Sequence, residues 1–259
     1  MVRCVMSERT IQLRRVNNHW RHVVDSNLRE KAGLIQQSLG LARPPIALAF
    51  VDQRPEGMEL VDEAVPSSCS FWRMAERGIF YATEEQHRKC PVGVITMGFQ
   101  VAPEDQEEAQ AIVDTMCELE YLTPEEVGAI PSVTSGHKGI VYGPLAQMPV
   151  DPDVVLFFAR PGQAMLLAEA SDSVSWTGSG IAAFGRPTCA AVPMALKADH
   201  PSVSMGCIGF RVNSGIPDDE LLMAVPGVQI ASLLERLGVT VNANSALEQF
   251  HTDRSAALT

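Results

Sequence analysis

The amino-acid sequence predicts an α/β or α+β fold built from two similar halves, with mixed sheets, flanking helices and a pseudo-twofold duplication. Three observations carry this. Short apolar runs of strand length alternate with amphipathic segments of helical period. The order of features in the first half recurs in the second. A chain of 259 residues can bury one large core or two smaller ones.

The elements follow in order. Residues 1–16 are expected to be a flexible start, and 17–259 a single globular domain. Its two pseudo-repeat lobes span about 40–101 and 139–212, with a helical linker between them and C-terminal helices after them. From Asn17 to Leu39 the residues Trp20, Val23, Val24, Leu28, Leu34, Ile35 and Leu39 keep helical spacing, and Gly40 can stop the helix. "PPIALAFV" opens on prolines and becomes a buried strand over Ile46 to Val51. "PEGMELVDEAVPSS" reads as a loop.

"APEDQEEAQAIVDTMCELEYL" is a helix. Pro103 suits its first turn, and the acids after it oppose the positive helix end. Ile112, Val113, Met116 and Leu119 are its expected buried stripe, with Cys117 beside them as a small core residue. "KGIVYGPL" and "DVVLFFA" read as strands, "GQAMLLAEA" as a short helix and "SGIAAFG" as a strand. "PDDELLMAVPGVQIASLLERLG" reads as two helical pieces broken at Pro226, with Gly238 as a stop and "SALEQFHTD" as a last short helix.

The halves echo one another. "IALAF" followed by "RPEGMEL" matches "VVLFFA" followed by "RPGQAML". Each half then has a cysteine among small residues, "SSCSF" at Cys69 and "PTCAA" at Cys189. Each has a second cysteine beside glycine, "KCPVGVITMGF" at Cys90 and "MGCIGF" at Cys207, 21 and 18 residues on. The plainer alternative is chance likeness between short apolar and Gly/Pro-rich stretches. A duplication packed about a twofold axis brings the four cysteines together. Cys4 and Cys117 fall outside the echo.

Four converging thiolates suit tetrahedral zinc or an iron–sulfur cluster. Structural zinc usually grips with C-x-x-C knuckles, and none exists here. Isolated ligands on separate elements fit a wider guest, so a [4Fe–4S] cluster is favoured on Cys69, Cys90, Cys189 and Cys207, with zinc as the alternative. Gly93, Gly206 and Gly209 leave room and free backbone N–H groups for a cofactor, or are ordinary turn glycines.

"LGLARPPIALAF", "CSFWRMAERGIFYATEEQHRKCPVG", "GIVYGPL…DPDVVLFFARPGQAM" and "SMGCIGFR" resemble a family of archaeal and bacterial proteins, domain of unknown function 169, over roughly residues 30 to 240. Its signposts are the spaced cysteines, the P-D-V-V strand and G-C-x-G-x-R near the end. The resemblance supplies a family and no settled reaction.

His87, His137, Lys138 and Arg211 are the candidate catalytic residues. His87 stands three residues before Cys90, and His137 precedes Lys138 in a Gly-flanked loop. Either imidazole is a proton donor, an alternative ligand or a solvated loop residue. Arg211 offsets cluster charge, holds a substrate carboxylate or forms a surface ion pair. His19 and His22 have i, i+3 spacing but no evident acidic third ligand. "TGSGIAAFG", Thr177 to Gly185, misplaces the third glycine of a dinucleotide fingerprint. No P-loop, G-x-S-x-G or H-E-x-x-H occurs.

A net charge of −11 without basic runs argues against nucleic-acid binding. No run approaches a membrane span, no signal peptide is evident, and a cytoplasmic location is expected. Disulfides are then disfavoured and metal binding or catalysis gains weight. The expected function is cluster binding for electron transfer, or oxidoreductase or lyase chemistry on a small substrate. Expected partners are a small-molecule substrate or a redox partner protein, with a homodimer left open. The alternatives are a metabolite- or cofactor-binding module with buried free cysteines, and a cysteine enzyme using Cys69 with His87 or His137 as base.

Overall fold

The computed structural model describes residues 27–171, 174–176 and 186–258. The expected flexible start, the first half of the helix from Asn17, Cys4, His19, His22, the "SGIAAFG" strand and the G-x-G segment lie outside the described residues.

The fold is α+β. Strands β1 (Ile46–Val51), β2 (Phe80–Ala82), β3 (Gly139–Pro144), β4 (Val154–Ala159), β5 (Ser175–Trp176), β6 (Ser202–Ser204) and β7 (Leu221–Pro226) form one sheet of order β2-β3-β1-β4-β7-β6-β5. Every pairing is antiparallel except the short parallel edge β5–β6. β1 and β4 pair at the centre, Ile46 opposite Leu156 and Leu48 opposite Val154. The sheet thus runs unbroken through both expected lobes. The second was expected to begin near residue 139, yet β3 pairs with β1 and β2 on the first side.

Counted outward from β1 and β4, both sides share one connectivity, with β5 an added edge strand on the second side. A central strand leads to an outer strand, and the chain returns to fill the place between them. This is a likeness of topology; it does not by itself establish a duplication.

Both faces of the sheet are covered, which explains the unalternated apolar runs. Ile46, Leu48 and Phe50 point to one face and Ala47, Ala49 and Val51 to the other, and all six are buried. The second of these faces carries α1 (Leu28–Leu39), α7 (Pro161–Glu169) and α10 (Ile230–Ala256) through Ile35, Leu167, Ile230, Leu233 and Leu237. The first carries α2 (Cys69–Met74), α4 (Pro91–Thr96), α8 (Ala191–Ala198) and α9 (Ile208–Ser214), with Phe71, Trp72, Val192 and Phe210 in its core. The short α3 (Glu84–His87) precedes α4, and α5 (Gln106–Glu118) and α6 (Pro124–Gly128) follow it.

Gly40 ends α1 in the left-handed conformation at φ 61°, and its N–H is bonded to the last turn, as its stop role requires. Three expectations fail. Leu221–Pro226 is a strand: its apolar run is buried on both faces between β4 and β6, so tertiary burial overrides helical period. After it, α10 runs unbroken through Gly238 and the "SALEQFHTD" stretch to Ala256. The stripe expected on α5 is also overturned. None of its residues is buried, and Leu119, just past its end, is 74 % exposed. No helix among the described residues is long and apolar enough to cross a membrane.

Gly238 is exposed, inside a helix, and an added Cβ there meets nothing within 4 Å. Gly238→Ala should therefore stabilise the protein by about 0.5–1 kcal/mol in urea unfolding, because it removes only unfolded-state freedom.

Candidate metal centre

Each of the four cysteines stands at the start of a helical element on the same face of the sheet. Cys69 is the first residue of α2. Cys90 is the N-cap of α4, and Pro91 takes the first helical position, where no N–H is needed. Cys189 lies in the 3₁₀ turn Thr188–Ala190 that runs into α8. Cys207 caps α9, with its sulfur accepting the Phe210 N–H at 3.4 Å.

The chain brings all four within electrostatic reach. Burial pushes the Cys69 thiol well up, and the charges of Cys189, Cys207 and Cys90 push it further. Burial likewise raises Cys189, with Cys90 and Cys207 adding to it and Thr96 partly offsetting. Cys69 and Cys189 are 5 % and 4 % exposed, whereas Cys90 and Cys207 are half-buried, so the cluster of thiols has a dry side and a wet side. Cys117 is half-buried on α5 and is not among the groups that shift these thiols. Among the described residues, no three His, Cys, Asp or Glu side chains close on one point as a single ion requires.

Hydroxyls brace the sulfurs. Thr188 Oγ1 accepts the Cys207 N–H at 2.6 Å. Ser67 Oγ lies 3.9 Å from Cys90 Sγ. The signal was present in "SSCSF" and "PTCAA": a hydroxyl residue precedes the first cysteine of each half, a feature the sequence reading passed over. Of the three candidate glycines, Gly93 is sterically required. A Cβ there would overlap the Ser68 hydroxyl and lie 2.6 Å from Ser68 Cβ and 2.9 Å from Cys90 Sγ. Gly206 has φ +91°, against the Phe210 ring and Arg211. Gly209 meets nothing within 4 Å, so packing makes no demand there.

Tyr142 of β3 forms part of the floor and was missed, because one tyrosine in a strand gives no signal. Its ring stacks on Phe71 and Phe80 at centroid distances of 5.4 Å each. Burial, then the charges of Cys69 and Cys189, hold its phenol well above the usual range. The neutral hydroxyl donates to His87 Nε2 at 3.0 Å, and His87 Nδ1–H donates to the Thr83 carbonyl at 2.6 Å. His87 is thus a buried residue of α3 with both ring nitrogens engaged, rather than a solvated loop residue. Burial holds its pKa down to about 4.

The other candidates stand apart. His137 packs edge-on against Phe50 and Phe99, at 4.9 and 4.8 Å, and burial lowers its pKa. Lys138 is exposed, and its backbone N–H donates to the Val51 carbonyl. Arg211 spends its guanidinium on the carbonyls of Met205, Pro217 and Glu220, at 2.6, 2.8 and 3.2 Å. It braces the turn that carries Cys207, and its ion pair, to the exposed Asp218, is loose at 3.7 Å.

Three outcomes follow. Gly93→Ala should destabilise the fold by about 1–3 kcal/mol in urea unfolding, the cost of overpacking a filled site. His87 titrates near 6.5 when unfolded and about 4 when folded, so the unfolded state gains protons first as pH falls. Stability should be fully present above pH 6.5 and fall by roughly 3 kcal/mol toward pH 4, a limb that His87→Gln flattens. In metal-free protein at pH 8, iodoacetamide should label Cys90 and Cys207 well before the buried, raised Cys69 and Cys189.

Comparison with known proteins places this chain in a family. A protein from Methanocaldococcus jannaschii, "Uncharacterized protein MJ0308", is 29 % identical over 224 residues, covering 82 % of this chain and 94 % of that protein. No solved structure matches significantly. The profile of the DUF169 family, described as "Uncharacterised ArCR, COG2043", matches residues 34–236, a span that holds all four clustered cysteines, and the chain belongs to that family.

Proposed function

We propose that Cys69, Cys90, Cys189 and Cys207 hold an iron–sulfur cluster, with [4Fe–4S] the best-matched form, and that the protein is an electron carrier. The observation that supports this reading is the convergence of four thiols from four separate helix starts on one face of one sheet. Each ionised sulfur destabilises the others, and two are out of water. Such a set is unfavourable as bare thiolates and favourable around a cationic inorganic core, which ligates them deprotonated. A cubane supplies one-electron redox chemistry and is wide enough for ligands arriving from four directions.

Zinc suits the site less well. It needs four sulfurs drawn in to about 2.3 Å from one point, tighter than any grouping among the described residues. Ligation by four cysteines leaves no open coordination position, which favours electron transfer with a redox partner protein over oxidoreductase or lyase chemistry on a small substrate. The matching placement of cysteines about β1 and β4 fits descent by duplication, two ligands to each half. A cytoplasmic location, where thiols stay reduced, belongs to the same proposal.

A second reading, a small-molecule-binding module with free cysteines, is favoured by one feature. A cavity of about 270 Å³, lined among others by Thr83, Arg88, Val94, Gln100 and Asp105, lies beside α3 and α4, and none of the four cysteines lines it.

Anaerobic purification separates these. The protein should be brown, absorb broadly near about 400 nm and contain iron and acid-labile sulfide in equal amounts. Cys90→Ser or Cys207→Ser should abolish the colour and Cys117→Ser keep it. A colourless preparation with one zinc supports the zinc variant, and a colourless metal-free one supports the binding module.

A further inference from the structure

At the start of α2 and one turn along it, two hydrogen-bond donors are buried without a partner, the Ser68 hydroxyl and Trp72 Nε1. Ser68 is 1 % exposed and Trp72 is fully buried. Buried donors in folded proteins are nearly always paired, so two orphans four residues apart at the helix that carries Cys69 call for an explanation.

Comparison of the two halves supplies it for Ser68. Ser68 immediately precedes Cys69, as Thr188 immediately precedes Cys189. The Thr188 hydroxyl accepts the N–H of the second cysteine of its half, Cys207. The corresponding N–H in the first half, that of Cys90, goes instead to the His87 carbonyl at 2.9 Å. The Ser68 hydroxyl is thereby left over. It faces the space that Gly93 leaves empty, and Cys90 Sγ borders that same space. Trp72 lies one helical turn beyond Cys69 on α2, and its ring meets Phe210, one turn beyond Cys207, at 5.7 Å. Its ring is thus packed between the two helices that carry those cysteines, with its N–H unsatisfied.

We propose that the Ser68 O–H and the Trp72 Nε1–H donate hydrogen bonds to sulfur atoms of the bound cluster and set its reduction potential. This rests on the iron–sulfur reading given above. A donor to sulfur withdraws electron density and stabilises the more negative, reduced cluster, so each bond raises the potential. Both residues touch the cluster through a hydrogen bond without ligating its iron.

The test uses full-length wild type, Ser68→Ala, Ser68→Thr and Trp72→Phe, purified anaerobically and assayed for iron and sulfide. Midpoints come from redox titration followed by electron paramagnetic resonance. Exchangeable protons near the cluster are read from hyperfine couplings in H₂O and D₂O. Ser68→Ala and Trp72→Phe should keep wild-type iron and sulfide, show a midpoint more negative than wild type, and each lose one exchangeable coupling. Ser68→Thr, which carries the residue of the second half, should recover most of the midpoint. Unchanged midpoints and couplings at full cluster content would overturn this proposal and leave the iron–sulfur reading standing. Wild type without iron or sulfide overturns both. Should one of Ser68→Ala and Trp72→Phe fail to load, the other decides: a more negative midpoint with one coupling lost supports the proposal, and an unchanged midpoint with all couplings kept sinks it.

Discussion

The antiparallel pairing of β1 with β4 is the constraint on which the rest depends. It joins the two sides into one sheet and fixes which face each side presents. Because side chains alternate along a strand, a slip of one residue would carry Ile46, Leu48 and Phe50 to the face that packs α1, α7 and α10. Both faces of these strands are covered, so no register error leaves an apolar side chain merely wet; each forces a large side chain into a place shaped for another. Ile46, Leu156, Tyr142 and Phe157 are all fully buried, and a close-packed core does not absorb such exchanges.

With that pairing in place, the chain delivers its cysteines to one face twice over. On each side the excursion from the central strand to the outer strand carries one cysteine, and the return carries the other: Cys69 and Cys90 around β2, Cys189 and Cys207 around β6. Sulfurs far apart in sequence become mutual perturbants in space. The ring of polar atoms around them is held by backbone more than by charge. Thr188 holds the Cys207 amide, His87 holds the Cys90 amide, and Arg211 bonds three carbonyls of the surrounding loops. A neutral Tyr142–His87 pair closes the floor without adding a charge of either sign.

What could be read from sequence follows from where the information resides. β1, β3 and β4 were legible because a short apolar run bounded by Pro, Gly or Asp has few other fates. β7 was misread for a reason of the same kind: "LLMAV" fits one face of a helix as well as a strand, and only its neighbours β4 and β6 decide. The stripe on α5 was legible as a pattern, yet the pattern does not state how deeply the helix sinks. The four cysteines were legible as a set because they stood in echoing contexts. His87 was not legible as a core residue, since its burial depends on Tyr142, 55 residues away. Nor was Arg211 as a loop brace, since its partners are backbone carbonyls, which carry no residue code.

The two halves are alike in connectivity and unlike in detail, and the differences fall around the sulfurs. In the second half the hydroxyl before the first cysteine satisfies the backbone of the second. In the first half α3 stands just ahead of Cys90, and the His87 carbonyl at its end accepts the Cys90 N–H. The same short helix sends His87 inward to Tyr142, so one element both keeps the floor neutral and leaves the Ser68 hydroxyl without the Cys90 amide. Asymmetry of this kind has a physical use. Four equivalent thiols in equivalent surroundings would give a guest no preferred side, whereas here one pair is dry and the other half-buried. The half-buried Cys90 and Cys207 form the side of the group nearest solvent, and Cys69 and Cys189 the side held in the core.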